Sequence, residues 1–126
     1  SVLDDLANVG LLDDAAFARE WVRQRHARRG KSARVLDREL QRKGVAQADR
    51  AEALEQVTQE SEQSIMEELA AKKARSVKTI PEDRAERDKA LRRIVGVLAR
   101  RGFNEGASLR VAKAALEARC AELENE

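Results

Sequence analysis

Aromatic residues are nearly missing from this sequence, which has no tyrosine, two phenylalanines (Phe17 and Phe103) and one tryptophan (Trp21) in 126 residues. Stacking of successive bases on aromatic platforms is therefore not what the chain is built for, and burial must come from Leu, Val, Ile and Ala. The single cysteine, Cys120, excludes an internal disulfide. With one histidine, His26, an ordinary structural zinc site also lacks its ligands. Cys120 has neutral to acidic neighbours and so lacks the electropositive setting of a reactive thiol. No run approaches the roughly 18 apolar residues of a membrane span, and the start has no basic-then-apolar signal pattern. The expectation is a cytoplasmic protein without membrane contact. A Gly-rich phosphate loop, a nucleophile motif and paired carboxylates at strand ends are absent too, which predicts a non-enzyme without cofactor, metal or small-molecule substrate.

What the sequence does have is helical periodicity and charge. Gly10, Gly44 and Gly102 each follow an apolar pattern of helical period, where a helix C-terminus often needs a left-handed residue. Asp13 stands before Phe17, Ala18, Trp21 and Val22 as a good N-cap ahead of i, i+4 apolar pairs. The spacing predicts helices at 2–9, 13–28, 32–43, 47–58, 60–75, 82–101 and 104–123. Pro81, the only proline, lies in a polar connection and suits the first turn of a new helix. Ser1 opens directly on the spacing Val2, Leu3, Leu6, Val9, so the sequence is expected to begin inside a helix, with an earlier repeat mostly missing.

An offset of 58 positions brings the chain onto itself: Leu36 onto Ile94, Leu40 onto Leu98, Lys43-Gly44-Val45 onto Arg101-Gly102-Phe103, Lys31 onto Lys89, Arg34 onto Arg92 and Arg42 onto Arg100. Allowing for the longer connection, Phe17 and Trp21 fall on Ile65 and Leu69. The fold class this predicts is all-α, with tandem three-helix repeats forming an elongated, curved array. Residues 1–10 would be the last helix of a truncated first repeat, 11–58 a second repeat, and 59–126 a third with a charged tail. Each unit of about 50 residues is marginal alone.

The formal net charge of +2 conceals a strong asymmetry. Ten bases against three acids give +7 over 19–43, and one base against seven acids gives −6 over 49–69. At about 100° per residue, Arg34, Arg38 and Arg42 form a row opposite Leu36 and Leu40, while Lys89, Arg93 and Arg100 lie opposite Leu91, Val95 and Leu98. Like charges at i, i+4 cost an isolated helix about 0.2–0.5 kcal/mol per pair, a cost an acidic or polyanionic partner offsets. Arg19, Arg23, Lys31, Lys43, Arg92 and Arg101 complete the candidate binding set. A solvated face is the bland alternative, with Arg34–Asp37, Glu39–Arg42 and Glu39–Lys43 as compensating pairs. Recurrence of the bases in the second copy weighs against it. Arg25 and Arg28 are expected on the Trp21 side, snorkelling or pairing at the repeat's own packing surface. Phe17 and Trp21 read as core, and His26 as a surface residue.

The stretch Gly10-Leu-Leu-Asp-Asp-Ala-Ala-Phe17-Ala-Arg-Glu-Trp21-Val-Arg-Gln-Arg25, then Arg29-Gly-Lys31 and Leu36-Asp-Arg-Glu-Leu40-Gln-Arg-Lys43-Gly44-Val45, resembles the central repeat of the RecX family. Leu98-Ala-Arg-Arg-Gly102-Phe103 resembles its final repeat, and the likeness covers about 3–116. The resemblance implies chains of three-helix repeats that bind in the groove of RecA filaments on DNA and inhibit ATPase, strand exchange and coprotease activity. The basic segments 31–43 and 89–101 match the family's basic repeat segments. The sequence departs from the family in three ways: only the last helix of the first repeat is represented, Ser32 follows Lys31 where glycine is common, and a charged tail runs through Glu126. Two other readings fit the same residues. One is a direct DNA-binding module of helix-turn-helix type, whose third helix is basic. The other is a helical scaffold that uses its apolar and acidic faces.

Overall fold

The computed structural model describes residues 13–126, so the helix expected at 2–9 and the stop at Gly10 lie outside the described residues. The described residues form six helices and no strand: α1 (Asp14–Arg29), α2 (Ala33–Arg42), α3 (Gln47–Leu54), α4 (Gln59–Ala74), α5 (Arg84–Arg100) and α6 (Glu105–Glu124). The chain divides at Gln59 and Glu60 into two compact units, each with its own core.

In the first unit, Asp13 caps α1 by accepting from the amides of Ala15 (2.8 Å) and Ala16 (3.4 Å), satisfying two donors with no partner inside the helix. Ser32 does the same for α2 at the Val35 amide. Phe17, Ala18, Trp21 and Val22 of α1 meet Leu36 and Leu40 of α2, with Val45 and Ala53 closing the cluster. The third helix is shorter than its apolar pattern predicted and ends at Leu54 instead of 58. There the amides of Glu55, Gln56 and Val57 bond three residues back, which tightens the turn. The side-chain Nε2 of Gln56 donates in addition to the carbonyls of Ala53 (3.1 Å) and Arg19 (2.9 Å), tying this end to α1.

In the second unit, Met66, Ala70 and Ala74 of α4 pack with Ala90, Leu91, Ile94 and Leu98 of α5 and with Val111, Ala112 and Leu116 of α6, around Phe103. Helix α5 starts at Arg84, later than expected. Asp83 accepts from the Glu86 amide (2.9 Å), while Glu86 reaches back to the amide of Glu82 (3.0 Å). This reciprocal cap places Pro81 two residues before the capping residue, not in the first turn. The Arg119 guanidinium on α6 donates to the Val77 carbonyl (2.9 Å), fixing the connection between α4 and α5 against the last helix.

The core positions related by 58 occupy equal environments. Leu36 and Ile94 are both fully buried, as are Leu40 and Leu98, and Val45 and Phe103 are each 4% exposed. Gly44 and Gly102 share the left-handed conformation (φ 83° and 86°) that turns the chain out of α2 and α5.

Candidate functional site

The α2 row is built by one helix serving two faces. Leu36 and Leu40 anchor the inner face, so Arg34, Arg38 and Arg42 necessarily project outward, and all three are exposed. Among the described residues none of the three makes a hydrogen bond or ion pair. The acids of α2, which the solvated-face alternative used to neutralise the row locally, turn away from it. Asp37 accepts from Arg50 of α3 at 2.9 Å, not from Arg34. The Glu39 carboxylate takes the Trp21 indole N–H at 3.0 Å and the Lys31 ammonium, not Arg42. Partners outside α2 compete successfully because they hold these carboxylates in partly buried positions, where a charged hydrogen bond is stronger.

The remaining candidates of the first unit lie off this row. Lys31 is half-buried on Glu39. Lys43 has its ammonium 5.0 Å from the centre of the Trp21 ring, and the Arg25 guanidinium carbon lies 3.3 Å from it. A cation over an indole face is held by the ring quadrupole, so Arg25 packs where the helical register put it; Arg28 is exposed. Arg19 pairs with Glu52 of α3 at 2.6 Å, and Arg23 with Glu20 one turn earlier on α1. Hydrogen bonds from Arg23 draw the Glu20 carboxyl down to about 2 against an opposing desolvation penalty, with Gln24 assisting. His26 corrects the expectation of a surface residue: it is 6% exposed, and its Nδ1 lies 2.8 Å from the Lys31 carbonyl. Val22 and His26 are i, i+4 neighbours, so the buried arc of α1 extends one turn further than apolar residues alone indicated.

On α5, Lys89, Arg92, Arg93 and Arg100 are exposed, and among the described residues they make no hydrogen bond or ion pair. Arg101 caps the helix and is partly buried. Gly96 falls within the basic face, at the position that Arg38 holds in the first unit. The Arg100 guanidinium folds over it, with Nη1 3.2 Å from where a Cβ would stand. Beside the face, Asp88, Leu91, Arg92, Val95 and the exposed Leu109 line a shallow apolar notch of about 230 Å³. Lys78 and Thr79 escaped sequence reasoning. They sit in the connection before α5, whose length and proline marked a loop without indicating what it faces.

This geometry is a pair of exposed basic helix faces, each backed by a buried aliphatic row in a three-helix unit. The RecX second three-helix domain matches residues 13–54, the described part of the first unit almost entire. The regulatory protein RecX of Corynebacterium efficiens is 57% identical over 122 residues, covering 97% of this chain and 58% of that protein. The chain belongs to the RecX family. Proteins of the same name from Streptomyces coelicolor (44% over 116 residues; 92% of this chain, 59% of the relative) and Mycobacterium avium (42% over 118 residues; 94% and 66%) are similar along nearly the same span. This RecX-family chain thus spans about six-tenths of the length of these curated relatives. No solved structure matches it. Among the described residues no helix is long and apolar enough to cross a membrane.

Proposed function

We propose that this chain is a non-enzymatic negative regulator of the RecA recombinase. It docks on RecA–DNA filaments and restrains their ATPase, strand-exchange and coprotease activities, and so tempers homologous recombination and the SOS response of DNA repair. The RecX relationship supports the partner, and the relatives' description as regulatory proteins supports action by binding. The observation that carries the reading is the row Arg34, Arg38 and Arg42, held outward by fully buried Leu36 and Leu40 while the helix's own acids are engaged elsewhere. Side chains kept charged and unneutralised at a cost to the helix are suited to an acidic or phosphate-bearing partner. Lys89, Arg92, Arg93 and Arg100 extend the same chemistry to the second unit.

The test is reversal of Arg34, Arg38 and Arg42 to Glu, followed by co-sedimentation with preformed RecA–DNA filaments. Filament binding falls while the circular dichroism melt stays with the parent, because none of the three side chains packs inward. Unchanged filament affinity would make the row an ordinary solvated face. A direct DNA-binding module is the second reading, favoured by the basic exposed helix in a three-helix unit. If phosphates alone were the partner, naked DNA and filament would show the same affinity and salt slope. Docking on acidic RecA surface instead leaves naked DNA much the weaker ligand at about 0.15 M salt, where exposed charges are screened beyond roughly 8 Å. We favour the latter.

A further inference from the structure

Between the connection 75–83 and α5, the second unit has a cleft of about 310 Å³ bordered by Ser76, Lys78, Thr79, Pro81, Glu86, Lys89 and Arg93. Its charge is one-sided: three cations face one carboxylate, and that carboxylate, Glu86, is held by the Glu82 amide as part of the α5 cap. Lys89 and Arg93 stand one turn apart on α5, where i, i+4 side chains are about 5–6 Å from each other at Cβ, and neither has a hydrogen bond or ion pair among the described residues. Lys78 donates to the Arg75 carbonyl at 3.0 Å, which leaves its other two ammonium hydrogens available. The Thr79 hydroxyl adds a donor without a partner among the described residues.

Set against the first unit, these cations are not inherited packing groups. Lys89 corresponds to Lys31, whose charge is neutralised by Glu39, but the position matching Glu39 is Val97. The internal partner has gone and the cation has stayed. Arg93 stands where the first unit has the half-buried Val35, and Lys78 belongs to the longer connection of the second unit. Loss of the internal carboxylate and gain of two cations all converge on one cleft. We infer that this cleft is a phosphate-binding site, in which Lys89, Arg93 and Lys78 surround a phosphate oxyanion and Thr79 donates to it. A paired ammonium and guanidinium suit such a group, and the guanidinium can engage two of its oxygens at once.

A free phosphate ion and a phosphodiester of a nucleic-acid strand offer this chemistry alike, and neither probe requires RecA, so the outcome is separate from that of filament docking. The ¹⁵N amide spectrum of the full chain would be titrated with inorganic phosphate and with an oligothymidylate, for the parent, the double variant Lys89→Glu/Arg93→Glu, and the control Arg84→Gln on the exposed start of α5, outside the cleft. Amides of residues 76–93 in the parent and control shift with at least one probe. Saturation by phosphate with the oligonucleotide no stronger assigns a free anion, and a tighter, salt-dependent response to the oligonucleotide assigns a strand. In the double variant the response weakens at least about tenfold, and for a strand the salt slope drops by about 0.7 for each phosphate that is no longer neutralised. Circular dichroism melts matching the parent exclude unfolding, and the single Arg93→Gln gives an intermediate loss should the double reversal not fold. Absence of shifts at the cleft with both probes, or an equal loss in Arg84→Gln, overturns the site.

Discussion

In the first unit the aliphatic seat of α2, Leu36 and Leu40, is surrounded by charged contacts to its neighbours: Lys31 and Trp21 on Glu39, Arg50 on Asp37, and Lys43 beside the Trp21 ring. In the second unit the matching positions of α5 are Val97 and Val95, Arg50 becomes the buried Ser108, and the corresponding helices meet through aliphatic side chains. The third helices differ as well. Helix α3 has eight residues and no side-chain cap at Ala46, whereas α6 has twenty and a cap from Asn104 to the Ala107 amide at 3.0 Å. A repeat template thus fixes where the helices turn and which residues are fully buried, while the surrounding shell is free to exchange ion pairs for valines. Where that exchange removes only one member of a pair, as at Lys89, a structural cation becomes available for binding.

The contrast predicts its largest effect at Trp21. Truncation to Ala removes a side chain only 6% exposed, together with its bond to Glu39 and its two cation contacts, and is expected to cost about 3–5 kcal/mol. Leu69→Ala, half-buried at the corresponding place in the second unit, should cost less. Thermal unfolding followed by circular dichroism measures both; a Trp21→Ala protein melting within a degree or two of the parent would mean that the indole and its contacts are dispensable for seating α2.

Capping offers a sharper test. Ala46 already has the extended backbone of an N-cap (φ −63°, ψ 151°), so Ala46→Asn should raise the stability of the first unit by about 1 kcal/mol, and Asn104→Ala should lower that of the second by a similar amount. Trp21 emission in urea reports the first change, because the second unit has no tryptophan. An unchanged midpoint for Ala46→Asn would place the weakness of α3 in its length and not in its missing cap.

The smallest effect belongs to Ser108, fully buried with its hydroxyl unbonded. Replacement by Ala deletes an unsatisfied polar group and keeps the Cβ, so the urea midpoint should stay within about 0.5 kcal/mol of the parent or rise. A loss above about 1 kcal/mol would reveal a hydrogen bond made by that hydroxyl in solution.

The elements that recur at the 58-residue offset were legible in the sequence. Leu36, Leu40, Ile94 and Leu98 lie on buried faces, and Gly44 and Gly102 end helices, because helical period and left-handed backbone are local properties of a few neighbouring residues. The outward row of Arg34, Arg38 and Arg42 was legible for the same reason. Partner choice was not: i, i+3 and i, i+4 spacing shows which charges can reach one another within α2, but not that Arg50, Trp21 and Lys31 will claim Asp37 and Glu39. His26 was misplaced because its bond to the Lys31 carbonyl exists only after the chain has turned at Gly30. The cleft beside α5 was hidden similarly, since a loop's composition does not reveal the helix against which it will lie.

The bond from Arg119 to the Val77 carbonyl links residues 42 positions apart and acts as a latch. Its keeper is the connection that carries Lys78 and Thr79, and its bolt sits in the last turns of α6. A protease trimming α6 back past Arg119 would therefore do more than shorten a helix: it would unfasten one wall of the cleft beside Lys89 and Arg93, so that the length of the final helix governs how firmly a distant loop is held.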